Sequence, residues 1–318
     1  MAKTKKLSKA GKASRMLAKM IRIVTAVYVD KLDMKKKAAI LQPIKVMMKL
    51  SRSTPEVKTI AIAKDLLKMS EGSITLEDLR TEGFSKRVID ALELLHKDPE
   101  EDYKTFVEKV SKNKDASLVL RFDLKYRTAR KHCDTNVSDG FSAEEAYAFL
   151  SNQDDDDGSL NLKLAEMIAI AAEAHEDQLD KGDHAYILHP FRILMDLSNE
   201  DIEIRIAAVG HDVIEDSEGR ITLQTFIDKK FPQRSIDCLD CLTHRDGVSY
   251  PQYIIIIMSN GDAVIVKKGD IRDNSNILRL KGIRAKDFLR VNKYSCSYLF
   301  LEGKIDEDTY LEKVEEFI

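Results

Sequence analysis

The chain has 318 residues, 43% hydrophobic and 33% charged, with 13 Gly and 6 Pro. That is length for about two ordinary domains with real cores, and it excludes disordered, collagen-like and disulfide-scaffold classes. The net charge of −3 conceals +10 over residues 1–150 and −13 over the rest. Residues 1–22 hold eight basic groups and no acid. Two halves of opposite sign are read first as attracting each other, so the partner of each half is expected within the chain. Nucleic acid is not expected, because the basic start lacks interleaved aromatic residues. Four cysteines and no secretory signal point to a reducing compartment, the cytoplasm. The apolar run Ile23 to Val29 is far too short to span a bilayer, so no membrane partner is expected.

In chain order the pattern is helical. Gly and Pro are sparse, while Lys, Glu, Leu and Ala are abundant. Ser142-Ala143-Glu144-Glu145 reads as a capping box. Asn152 to Ser159, NQDDDDGS, reads as a polar linker. Asp155, Asp157 and Gly158 have calcium-loop spacing, but Gln153 and Leu164 stand where that loop needs ligand oxygens. Leu160 to Asp180 and Ile202 to Ile214 carry apolar residues at helical spacing, as does Arg234 to Leu242. Tyr253-Ile254-Ile255-Ile256-Ile257 is β-branched and by itself would suit a buried strand.

A repeat resolves that conflict. Shifted by 147 residues, the chain aligns with itself. Met20-Ile21-Arg22-Ile23 falls on Met167-Ile168-Ala169-Ile170, and Ile40-Leu41-Gln42-Pro43 on Ile187-Leu188-His189-Pro190. Ala61-Ile62-Ala63-Lys64-Asp65 falls on Ala208-Val209-Gly210-His211-Asp212, and Ser70-Glu71-Gly72 on Ser217-Glu218-Gly219. Phe106 to Val110, the counterpart of Tyr253 to Ile257, has a helical pattern, so both segments are expected to be helices. The expected fold is all-α, with two tandem domains at 1–150 and 151–318.

The chemistry gathers in the second copy. Among seven histidines, His211 is followed at once by Asp212, then by Glu215 and Asp216. On a continuous helix, His211 and Glu215 would share a face. Four ionisable groups amid Ala207, Ala208, Val209 and Val213 are costly to bury unpaired, and a divalent cation would neutralise them. His189 lies 22 residues upstream of His211, and Asp270 lies 58 residues downstream of Asp212. Cys238 and Cys241 form a C-x-x-C within an apolar helical pattern and are read as buried small residues.

The stretches AHEDQLDKGDHAYILHP, GHDVIED and KKGDIRDN resemble the HD-domain metal phosphohydrolases. They are most similar to the hydrolase domain of RelA/SpoT-type alarmone enzymes and to small alarmone hydrolases. The resemblance covers about residues 160–280. It implies two HD-type helical domains and one metal ion, usually manganese, on His189, His211, Asp212 and Asp270. It further implies that Glu215 and Asp216 activate water, that Asn274 helps catalysis at the nucleotide, and that Lys181 binds substrate. His175 matches an early motif of mainly structural role. The implied reaction is removal of the 3′-pyrophosphate from guanosine tetra- or pentaphosphate, releasing pyrophosphate. Asp180 stands where the family commonly has an Arg that packs on the purine. Asp273 replaces a frequent His or Tyr. Another nucleotide, including an adenosine alarmone, is therefore an alternative, as is a nucleotide-sensing module without turnover.

At the same offset the first copy has lost the set. Gln42 stands for His189, Lys64 for His211, Lys68 for Glu215, Met69 for Asp216 and Arg127 for Asn274. Only Asp65 and Asp123 persist. An ammonium has no lone pair for a metal, so Lys64 is expected to pair with Asp65 or Asp123. Residues 1–150 are read as a degenerate copy.

Overall fold

The computed structural model describes residues 8–50, 53–98, 100–101, 103–128, 158–280 and 282–318. Every regular element among them is helical, and extended pairing is confined to two isolated bridges, Leu32 with Ala38 and Leu179 with Ala185. The chain divides into two compact units, Met1–Ala172 and Glu173–Ile318. The expected boundary at 150/151, the capping box at 142–145 and the acidic residues 154–157 lie outside the described residues. No described helix is long and apolar enough to cross a membrane.

The first unit runs α1 (Lys9–Tyr28), α2 (Leu41–Lys49), α3 (Pro55–Ala63), α4 (Leu66–Met69), α5 (Leu76–Thr81), α6 (Lys86–Leu95), α7 (Tyr103–Ser111) and α8 (Lys114–Thr128). Then comes α9 (Ser159–Ala174), whose last two residues belong to the second unit. The second unit continues with α10 (Leu188–Asp196), α11 (Ile202–Gly210), α12 (Val213–Asp216), α13 (Leu223–Asp228) and α14 (Gln233–Leu242). It closes with α15 (Tyr250–Ile257), α16 (Gly261–Asn274), a 3₁₀ turn (Ile277–Arg279), α17 (Ala285–Leu301) and α18 (Glu307–Glu315). Adding 147 to the bounds of α2 through α6 reproduces the bounds of α10 through α14 residue for residue.

Local chemistry recurs with the bounds. Asn113 and Asn260 each accept two backbone N–H groups at 3.0 Å to start α8 and α16. Such caps satisfy donors that a helix start leaves orphaned. Arg87 grips Asp115 at 2.6 and 3.0 Å, and Arg234 grips Asp262 at the same two distances. The offset in the sequence is therefore a repeat of structure.

α15 shows why an isoleucine run becomes a helix. Ser249 and Gln252 form a capping box, and Pro251 sits in the first turn, where its missing N–H costs nothing. Tyr253, Ile254 and Ile257 are then buried while Ile256 faces outward. Burial on one helical face outweighs the weak β preference of the residues.

In the second unit α11 is the central helix. Ile204 and every residue from Ile206 to Gly210 are buried, as expected of a helix apolar all round. α10, α14 and α16 pack against it. α16 also approaches α10 closely: a Cβ on Gly269 would lie 3.1 Å from Ile193 Cγ2. That approach brings the residue after Gly269, Asp270, to the foot of α10.

Adjacent residues of α13 test the burial pattern. Phe226 is fully buried, with its ring edge-on to Phe231 at 5.4 Å, whereas Ile227 is 48% exposed. Phe226→Ala is expected to cost about 3–5 kcal/mol and Ile227→Ser no more than about 0.5 kcal/mol in equilibrium denaturation. Equal losses would contradict this packing.

Candidate metal centre

The site is built where α10, α11 and α16 meet. His189 is the second residue of α10, and Asp270 lies in the last turn and a half of α16. The helix expected over 202–214 is broken: α11 ends at Gly210 and α12 begins at Val213. Between them Asp212 takes φ −101°, ψ −5°, in the sparse bridge region that active-site residues often occupy. The break turns two sequence neighbours toward one point, with His211 Nε2 3.0 Å from Asp212 Oδ2. On a regular helix neighbouring side chains diverge.

The four residues converge. His189 Nε2 lies 3.1 Å from Asp270 Oδ1 and 3.7 Å from Asp212 Oδ2. His211 Nε2 lies 3.8 Å from the same Asp270 oxygen. Ligand atoms of His189, His211 and Asp212 all fall within 4.8 Å of one another. Both Nε2 atoms are buried without a well-aligned hydrogen bond, which is costly unless something else uses them. Imidazole nitrogens beside carboxylate oxygens suit a divalent transition metal. The residues present fit such an ion.

The opposite side of each ring is secured. His211 Nδ1–H donates to the Ala208 carbonyl at 2.9 Å, which leaves the Nε2 lone pair facing the site. His189 Nδ1 meets Asp273 Oδ2 at 2.6 Å, and Arg192 holds that carboxylate at 2.6 and 2.9 Å. The carboxylates are secured too. Tyr186 OH donates to Asp212 at 2.6 Å, Lys267 Nζ donates to Asp270 at 2.8 Å, and Asn274 Nδ2 donates to the other Asp270 oxygen. Such partners orient metal ligands and tune their basicity. Sequence reading missed Tyr186, Arg192, Lys267 and Asp273 as partners. A signal existed, because each lies three residues from His189 or Asp270, one helical turn away.

His211 and Glu215 lie on either side of the break, His211 just after α11 and Glu215 within α12. Glu215 accepts the backbone N–H of His244 at 2.6 Å. Asp216 Oδ2 lies 3.6 Å from Nδ1 of His175, which is fully buried. His175 thus borders the acidic pair itself. Burial raises Glu215, and burial with the charges of Asp212 and Glu215 pushes Asp216 up to about 6. Asp180 has no free role toward a ligand: its Oδ1 accepts the N–H groups of Gly182 at 2.8 Å and His184 at 3.0 Å. Asp33 closes the equivalent turn in the same way, with Lys35 and Lys37.

Lys181 is exposed and stands in the positive field of Arg290, Lys286 and Arg284 around the start of α17, with Asp287 among them. Burial, then Lys267, Arg290 and Lys181, depress Lys293. A basic arc therefore runs from Lys267 beside Asp270 to the surface at Lys181. Cys238 and Cys241 lie on α14, burial raises both thiols, and neither joins a metal-capable group among the described residues.

The first unit handles the same position differently. Lys64 Nζ lies 2.6 Å from Asp65 Oδ1 and 3.2 Å from Asp123 Oδ2. The ammonium bridges the two carboxylates that persist. The Arg127 side chain lies outside the described residues.

Comparison of the chain with protein-family models and with curated proteins returns no match.

Burial works to lower the His189 pKa, but Asp270, Asp273 and Asp212 push it up to about 9. Without a cation the ring therefore holds two protons near neutral pH. Binding of a divalent cation at this nitrogen must displace the Nε2 proton, so affinity should rise with pH up to about 9. Calorimetry in two buffers of different ionisation enthalpy should register about one proton released per ion. Uptake without proton release would remove His189 from the ligand set.

Proposed function

We propose that the second unit is a divalent-cation-dependent phosphohydrolase. Its substrate is a nucleoside carrying a 3′-pyrophosphate, of the guanosine tetra- and pentaphosphate type. Its cation is manganese, held by His189, His211, Asp212 and Asp270. Such an enzyme works in the cytoplasm, where these nucleotides are made. The observation that carries the reading is the convergence on two carboxylates of two buried imidazole nitrogens, neither with a well-aligned hydrogen bond. A binding module has no need of the further pair, Glu215 and Asp216, set beside them.

When bound, the cation supplies positive charge that makes water nucleophilic near neutral pH and offsets the phosphate's charge. The rest falls to the chain's own groups. Lys181, Arg290 and Lys293 hold the polyanion. Asn274 and Lys267 keep Asp270 in place, and Tyr186 keeps Asp212 in place. Glu215, anchored by the His244 N–H, orients the attacking water. Asp216, pushed up to about 6, takes its proton. Water adds to the phosphorus, the bond to the ribose 3′ oxygen breaks, and that oxygen leaves with a proton as the 3′-hydroxyl. The products are pyrophosphate and the nucleoside 5′-di- or triphosphate.

Asp180, spent on its turn, offers no guanidinium to a purine. Another nucleotide, adenosine alarmones included, is therefore the alternative substrate class. The test is a release assay on purified protein with Mn²⁺ and a panel of guanosine and adenosine 3′-pyrophosphates. Turnover is expected, abolished by Asp212→Ala and reduced on the order of 10²–10⁴-fold by Asp216→Asn. Absence of turnover on every member, with Mn²⁺ still bound, would refute hydrolysis of alarmones and leave another nucleotide or the sensing module.

A further inference from the structure

We propose that the first unit binds a phosphorylated ligand, of pyrophosphate or nucleoside diphosphate type, in the cavity over Lys64, without a metal and without hydrolysing it. The cavity has a volume of about 520 Å³, and its charged lining is Lys64, Lys68 and Lys97 with Asp65, Asp98 and Asp123, beside His96. Its size suits a small-molecule site.

The argument is electrostatic and rests on the structural repeat. In the second unit four carboxylates, Asp212, Asp270, Glu215 and Asp216, stand against one lysine, Lys267. At the centre of that pocket a cation is what would offset the excess, with the basic groups Lys181, Arg290 and Lys293 lying farther out. In the first unit only Asp65 and Asp123 remain. Lys64 bridges them, Lys68 replaces Glu215, and Met69 replaces Asp216. Counting Asp98 and Lys97 at the mouth, three carboxylates face three lysines, so the compensation that a cation would bring is already supplied by side chains.

The mouth adds donors. Lys68 is exposed and makes no ion pair among the described residues. Lys97 Nζ donates to a neutral group, the Asp98 carbonyl, at 2.9 Å. Ammonium groups not spent on carboxylates are point-charge donors for phosphate. Leu95, Phe106 and Leu120 give the same cavity an apolar wall, on which a base could rest. No acidic pair remains to take a proton from water, so a bound phosphate ester would persist. A ligand held here reports its concentration without consuming it.

The test uses the full chain stripped of metal with EDTA, titrated calorimetrically with inorganic pyrophosphate and separately with GDP and ADP. One site per chain is expected. Lys68→Glu and Lys97→Ala, both at the cavity mouth, should each weaken it about tenfold, with circular dichroism unchanged. Tighter binding of a nucleoside diphosphate than of pyrophosphate would assign the apolar wall to a base. Equal affinities would assign the site to phosphate alone. No binding, or binding insensitive to both substitutions but lost in Arg290→Ala, would overturn the proposal. Neither result bears on hydrolysis by the second unit, which requires the cation that this experiment removes.

Discussion

Burial of like charge is the constraint on which both units depend. In the second unit Asp212 and Asp270 are held with two imidazoles inside a helical core, every ligand atom within a few ångströms of the next. Carboxylates cannot be stripped of water at such separations without compensation. The structure contains two answers. Around Lys64 the compensation is a covalent part of the chain, an ammonium between two carboxylates. Around His189 it is partial, from Lys267 and a proton on the ring, and is of the kind a divalent ion completes.

The frame that holds these charges does not depend on which answer is used. α2 to α6 and α10 to α14 keep the same bounds although one set carries Gln42, Lys64 and Lys68 and the other His189, His211 and Glu215. Each helix is placed by its apolar face and its caps. Replacing one polar group at the centre by another changes the charge there but not the area buried around it. A duplicated helical frame can therefore lose one chemistry and keep its packing.

The precision of the second site comes from a ring of partners on the same helices as the ligands. Asp273, steadied by Arg192, holds one imidazole, and a backbone carbonyl holds the other. Tyr186 and Lys267 hold the carboxylates. Gly269 permits the close approach of α16 to α10, since a Cβ there would stand 3.1 Å from Ile193 Cγ2.

Much of this was legible in the sequence. The offset of 147 residues announced the repeat, and helical spacing announced the class, because periodic burial is written in the order of residues. His211 and Asp212 stood out as ionisable groups among apolar neighbours, the family resemblance added His189 and Asp270, and a pairing of Lys64 with Asp65 or Asp123 followed from its chemistry, though not that it bridges both. The break at His211-Asp212 was not legible, since the apolar period runs through it. Nor were Glu215 turning to the His244 N–H, His175 beside Asp216, or the basic arc reaching α17. Each of these depends on which distant backbone or side chain completes a hydrogen bond or a field, and sequence spacing carries no information on that. Order along the chain decided which elements form and which groups must be compensated. Only the packing of α10, α11 and α16 decided how the groups face one another.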